Sequence, residues 1–230
     1  MNDVLAQSLF FGAFLSLVCY GIGCVIRNKV KLAVANPLLI SVLLIIAFLM
    51  VFRVDYQVYK KGADYIGYFL TPATVSLAIP LYRKLALLKK YPKAIFGGVI
   101  AGVLTAMVSI FAMSLLFGLT HEQYATLLPK SITTAIAMGV SEKLGGMASI
   151  TVMAVSITGI MGNIVAESVL KLFRITEPIA KGLAIGTASH AMGTSKAMEI
   201  GEVEGAMSSL SIVVAGILTV VTATVFSMFI

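Results

Sequence analysis

The chain has 230 residues, 59% of them hydrophobic and only 12% charged, with a mean hydropathy of +1.02. Soluble domains run about 45–50% apolar and about 25% charged, so the polar residues here are too few to cover a water-soluble globule. The net charge of +7 does not point to nucleic acid, because the basic residues fall between apolar blocks and form no stripe with interleaved aromatics.

The apolar residues come in blocks of membrane-spanning length, and an all-α, polytopic membrane domain covering residues 1–230 is expected. Residues 4–26 form an uncharged run too long for a signal-peptide core and without a basic leader, so they read as a first span. Cys19 and Cys24 lie together within it and read as small apolar core residues, not as a disulfide framework. Further spans are expected over 33–52, 65–82, 94–117, 148–172 and 206–230, six in all. The third contains Pro72 and Pro80, which should interrupt its hydrogen-bond ladder.

Two stretches, 127–146 and 179–205, are apolar enough to enter a membrane yet are broken by Gly, Ser, Thr and charge. The uncharged run 131–141 would cover only about 17 Å as a helix, roughly half the hydrocarbon thickness. Each stretch is expected to be a re-entrant hairpin or a broken helix, with Pro129 and Gly139 as breaking residues in the first. Loop charges bear on orientation. Arg27, Lys29 and Lys31 form one basic cluster, and Arg83, Lys84, Lys89, Lys90 and Lys93 form another, while 118–126 carries no Lys or Arg. Placing the clusters in the cytoplasm puts the N-terminus outside, and re-entry of the first stretch then brings Lys171, Arg174 and Lys181 inside as well. Arg53, Lys60 and Lys61 are the exception to this count.

The two stretches share a pattern, Ala137-Met138-Gly139-Val140-Ser141 and Ala191-Met192-Gly193-Thr194-Ser195, each followed by a glycine and a long span. One span separates them, so two copies must enter from opposite faces. Inverted repeat units over 127–172 and 179–230 are expected, and paired interrupted segments point to a transporter's midplane site.

Candidate substrate-binding residues follow. Pro129-Lys130-Ser131-Ile132-Thr133-Thr134 puts a cation, hydroxyls and a fresh helix N-terminus together, with Ser131 as a potential cap. Lys130 either binds an anion or snorkels to the interface. The second stretch offers Thr187, Ser189, His190, Gly193, Thr194 and Ser195. His190 is either a proton carrier or a neutral imidazole bridging backbone groups. Glu199, Glu202 and Glu204 are either proton acceptors raised by burial or solvated acids at a helix N-terminus. Asn163 and Glu167 are secondary candidates. Nucleophile, zinc and phosphate-loop motifs are absent from the sequence, and His121 and His190 lie in different contexts, so an enzyme, a metal site or a cofactor is not expected.

At LTPATVSLAIPLY (70–82), LPKSITTAIAM (128–138) and 182–209, which carries GTASHAMGTSKAMEIGEVEGAMSS, the sequence resembles the LrgB/CidB family of bacterial membrane proteins, related to the C-terminal part of a plant plastid glycolate/glycerate translocator. The resemblance covers essentially the whole chain; Ala135 departs from it, since relatives often carry proline there. It implies a multi-pass protein of the bacterial cytoplasmic membrane and two functional descriptions. One is an antiholin-like or holin-like modulator of murein hydrolase export and autolysis, acting with a small LrgA/CidA-type partner. The other is a carrier of small carboxylates such as glycolate, glycerate or pyruvate. The interrupted segments favour the carrier, because a pore-forming lesion has no need of them. A homo-oligomer, a dimer, is expected.

Overall fold

The computed structural model describes residues 8–30, 35–69, 72, 75, 76, 79, 82 and 85–230. Regular structure among these residues is helical, and the chain divides into two compact units, Met1–Ser76 and Leu77–Ile230.

The first unit holds α1 (Phe11–Val30), α2 (Pro37–Val51) and α3 (Tyr56–Gly67). Helix α2 starts where Asn36 caps it, its side chain accepting from Leu38 N at 2.9 Å and Leu39 N at 3.3 Å, with Pro37 in the first turn. Asp55 caps α3 in the same way through Gln57 N at 2.8 Å. Helix α1 packs on both others through glycines. A Cβ on Gly12 would strike Tyr59 O and Ala63 N of α3, and one on Gly23 would lie 2.6 Å from Pro37 O of α2. The polar stretch around Lys60, Lys61 and Asp64, read from sequence as a connection, is therefore the amphipathic helix α3.

The second unit holds α4 (Leu85–Lys90), α5 (Pro92–Phe117), α6 (His121–Leu127), α7 (Thr134–Lys143), α8 (Ala148–Leu172), α9 (Pro178–Ile200) and α10 (Glu202–Phe226), with a 3-10 turn at Ser227–Phe229. Helix α5 buries Ile95, Val99, Val103, Met107 and Ile110, a stripe at three- and four-residue spacing, against Leu183 of α9 and Met207 and Leu210 of α10. Its other faces present Phe96, Ile100, Leu104 and Val108 outward, as a lipid-facing helix does. Gly118, at φ 60°, ends the helix in the left-handed region.

Helices α6 and α7 form an antiparallel hairpin. At its base, His121 Nε2 lies 3.1 Å from Leu144 O, just past the end of α7, and His121 Nδ1 lies 2.6 Å from Ile230 O. The chain turns back over residues 128–133. Gly139, expected to break the helix, lies inside α7; the chain instead turns at Gly145, at φ 82°, and passes into α8. Pro129 sits in the tip turn, Pro72 is helical, and Pro80 lies outside the described residues.

Helix α9 is also a hairpin. At His190 the backbone leaves helical geometry (φ 43°, ψ −139°), and the two arms fold back on each other. A Cβ on Gly193 would lie 2.6 Å from Ser189 Cβ and 3.0 Å from Ile185 O, a distance that a straight helix never gives over eight residues. Ile185 and Ala197, one on each arm, share an apolar cluster with Ala166 and Leu170 of α8. Both ends of the hairpin meet the start of α10: Gly182 abuts Glu204 and Met207, and Gly205 abuts Met198.

The long helices connect the two hairpin bases. Helix α8 begins beside the first, where Met147 N donates to Thr126 Oγ1 at 2.8 Å, and ends beside the second. Helix α10 runs the other way, from Glu202 to Phe226, whose carbonyl accepts from Tyr124 OH of α6 at 3.0 Å. The hairpins thus start at opposite ends of the unit, and their tips meet at mid-α8. Ile132 of the first tip clusters with Val155, whose carbonyl oxygen accepts from His190 Nε2 of the second at 3.1 Å.

Four helical stretches among the described residues are long and apolar enough to cross a membrane: α1, α5, α8 and Glu202–Phe229. Of the other two expected spans, α2 has 15 residues, about 22 Å of helix, and 65–82 lies largely outside the described residues.

Candidate functional site

A cavity of about 1000 Å³ lies between α5, α8 and the two tips. Lys130 and Ser131 of the first tip face it, together with Thr187 and Ser189 of the second. The lining extends to Tyr91, Glu177 and Ile179, at the end where the second hairpin starts. Among the described residues, none from the first hairpin's base lines it; Lys130 and Ser131 are the first tip's contribution.

Close approach shapes this space. Gly102 of α5 faces Thr187, and a Cβ there would lie 2.7 Å from Thr187 Cγ2. Gly162 of α8 faces Ser189, whose hydroxyl would overlap any Cβ at that position. Two glycines on different long helices therefore let the second tip enter the centre of the unit.

The polar groups differ in what they have left to offer. Lys130 Nζ donates to Ser131 Oγ at 3.3 Å, and among the described residues no carboxylate lies within 4 Å of it. Thr187 Oγ1 is buried and has no hydrogen-bond partner among the described residues. Thr105 and Ser109 of α5 also line the cavity but give their protons to the backbone, to Ala101 O at 2.7 Å and Thr105 O at 2.6 Å. They keep only acceptor capacity toward the cavity. A free cation with nearby hydroxyls at one end, and hydroxyl acceptors along one wall, suits a small anion that also carries a polar substituent.

The remaining sequence candidates lie elsewhere. Thr133 and Thr134 open α7 but do not line the cavity; Thr133 is its N-cap residue and makes no side-chain cap bond, so Ser131 is not the cap expected from sequence. His190 holds Val155 O, and Thr194 spans His190 O at 2.9 Å and Ser208 Oγ at 2.7 Å. Ser195 donates to Met192 O at 2.7 Å and accepts from Asn163 Nδ2 at 3.3 Å, while Gly193 serves close approach of the arms. Glu199 and Glu167 both hold Lys196, at 3.2 and 2.6 Å. Glu202 is exposed, and Glu204 is buried against Gly201 in the first turn of α10. Thr105, Ser109, Thr158, Gly102 and Gly162 were not read as site residues from sequence. The signal for the first two was a pair of hydroxyls four residues apart on a largely apolar span.

Long apolar helices, with two helical hairpins whose tips share a cavity, define a multi-pass helical membrane protein. The LrgB-like family matches residues 16–229, and the chain belongs to that family. It is 39% identical over 222 residues to the Antiholin-like protein LrgB of Bacillus cereus (strain B4264), covering 96% of each chain. The same identity and coverage hold for the proteins of that name from Bacillus cereus (strain AH187) and Bacillus anthracis (strain A0248). No solved structure matches the chain.

Proposed function

We propose that this protein is a secondary carrier of small monocarboxylates, such as glycolate, glycerate or pyruvate, in the bacterial cytoplasmic membrane. In this reading the two hairpins are re-entrant halves of an inverted repeat, residues 127–172 and 179–230, set among six full spans. They enter from opposite faces and hold substrate where their tips meet at mid-membrane. The observation that carries the proposal is Lys130, a cation with no carboxylate within 4 Å among the described residues, facing a cavity that the second tip also lines. An intramembrane charge is costly unless something pairs with it, and a transported carboxylate supplies the pair. Ser131, Thr187 and Ser189 would orient the substrate, and alternating access would follow from movement of one hairpin unit against the other. The proposal assigns no coupling group, since His190, Glu199, Glu202 and Glu204 lie outside the cavity lining.

A second reading is an antiholin-like regulator of murein hydrolase export and autolysis, acting with a small LrgA/CidA-type membrane protein or as a homodimer. The antiholin-like relatives support it, and support it better than they do the carrier. Proteoliposomes separate the two. Saturable uptake of labelled glycolate or pyruvate, competed by the other acid and without release of a trapped dye, is the carrier's outcome. Dye release without saturable uptake is the outcome expected of a holin-like pore, and silence in both assays removes the carrier reading.

A further inference from the structure

A second cavity, of about 650 Å³, lies where α8 ends and the second hairpin begins. Three basic side chains surround it, Lys171, Arg174 and Lys181, together with the carboxylates Glu167 and Glu199. Both carboxylates are engaged with Lys196, at 2.6 and 3.2 Å, while Lys171 reaches Glu167 only at 3.7 Å. Arg174 and Lys181 have no carboxylate within 4 Å among the described residues, so the pocket carries uncompensated positive charge. Thr176 also lines it, and Leu170, Ile175 and Ile200, which belong to the cluster that holds the hairpin arms to α8, give it an apolar wall.

Arg174 occupies a position where its residue type is costly. The end of α8 is a Schellman turn, with Arg174 N donating to Lys171 O at 3.1 Å and Ile175 N to Leu170 O at 2.8 Å. Arg174 itself has φ 53°, the left-handed conformation that glycine fills without penalty. Arg174 in this turn lines the pocket.

We propose that this pocket binds the phosphate of an anionic phospholipid headgroup at the membrane surface. The fork of Arg174 and the ammonium of Lys181 would share the phosphate oxygens, and Leu170, Ile175 and Ile200 would receive the start of the acyl chains. A free phosphate would use the cations but has no use for the apolar wall; a lipid uses both. The cations belong to two elements, the end of α8 and the first turn of α9, so a bound lipid braces the base of the second hairpin. The proposal rests on the chain crossing a membrane and is independent of what the larger cavity carries.

Native mass spectrometry of the full chain in detergent tests it, with phosphatidylglycerol, phosphatidylcholine and inorganic phosphate as probes. The wild type is expected to retain phosphatidylglycerol about tenfold or more over phosphatidylcholine. Arg174→Gly removes the guanidinium while giving the turn its preferred residue, so its thermal unfolding temperature should hold or rise while phosphatidylglycerol retention falls to the phosphatidylcholine level. Lys181→Gln should do the same to retention. Lys89→Gln/Lys90→Gln removes two charges from α4 and should retain lipid as the wild type does. Equal retention of both lipids by the wild type overturns the proposal, as does undiminished phosphatidylglycerol on Arg174→Gly. Displacement of the lipid by millimolar inorganic phosphate would assign the pocket to a soluble anion instead.

Discussion

The two hairpin tips are built from the same kinds of residue and use them in opposite ways. In the second, His190 holds Val155 O, Thr194 holds His190 O and Ser208, and Ser195 is tied to Met192 and Asn163. Its polarity is spent on keeping a sharp reversal in place, and only Thr187 and Ser189, on the arm before the turn, face the cavity. In the first tip, the Lys130 ammonium has Ser131 Oγ as its one hydrogen-bond partner among the described residues, and Lys130 lines the cavity. A polar residue at membrane depth is thus not by itself a binding residue; what matters is whether it has already found a partner. The shared Ala-Met-Gly-x-Ser pattern behaves accordingly. It falls on the return arm of both hairpins, and its serine meets α8 each time, Ser141 accepting from Thr151 Oγ1 at 2.7 Å and Ser195 from Asn163.

If the first tip binds and the second supports, substitutions should separate along that line. Lys130→Met removes the cation that faces the larger cavity and should raise KM for the transported acid about 30- to 100-fold, the worth of a charge-assisted hydrogen bond, with thermal unfolding unchanged or improved. Uptake kinetics in proteoliposomes measure this, and an unchanged KM would remove Lys130 from the site. Gly162→Val drives a side chain into Ser189 and should lower stability by about 1–3 kcal/mol, read as an earlier unfolding midpoint in detergent. His190→Ala leaves Val155 O buried without its partner and should cost about 1–2 kcal/mol on the same measurement. A loss of substrate affinity with unchanged stability would instead make His190 a binding residue and break the contrast. The smallest effect is expected at Glu167–Lys196, where the acid is 45% exposed. A double-mutant cycle of Glu167→Gln and Lys196→Met should give a coupling of about 0.5–1 kcal/mol.

Much of this was legible in the residues, for reasons that also explain the rest. The bounds of α8 agree with the expected span at both ends because Gly145-Gly146 precedes it and Arg174 follows it, interrupting the apolar run on each side. The first hairpin was foreshadowed by arithmetic, since 131–141 is too short to cross. Lys130, Ser131, Thr187 and Ser189 stood out as polar residues within apolar stretches, and all four line the cavity. His190, Thr194 and Ser195 stood out for the same reason, but composition does not tell whether a hydroxyl or imidazole faces a void or a neighbouring carbonyl. Thr105 and Ser109 were passed over because the 26 residues of α5 are otherwise so apolar that two hydroxyls leave the span assignment untouched. Helix α3 was missed for the converse reason: Lys60, Lys61 and Asp64 suggested a loop, although their spacing leaves Tyr59, Gly62 and Ala63 on the side that meets α1.

The central claim is that two hairpins enter from opposite faces and meet at mid-membrane, and sidedness tests it most directly. In a chain with Cys19 and Cys24 replaced by serine, single cysteines at Glu122 and Lys143 flank the first hairpin, and those at Glu177 and Glu202 flank the second; all four positions are exposed. An impermeant maleimide applied to right-side-out and inverted vesicles should label Glu122→Cys and Lys143→Cys from one face, and Glu177→Cys and Glu202→Cys from the other. Labelling of Glu122→Cys and Lys143→Cys from opposite faces would mean that the first segment crosses, and the account would fail.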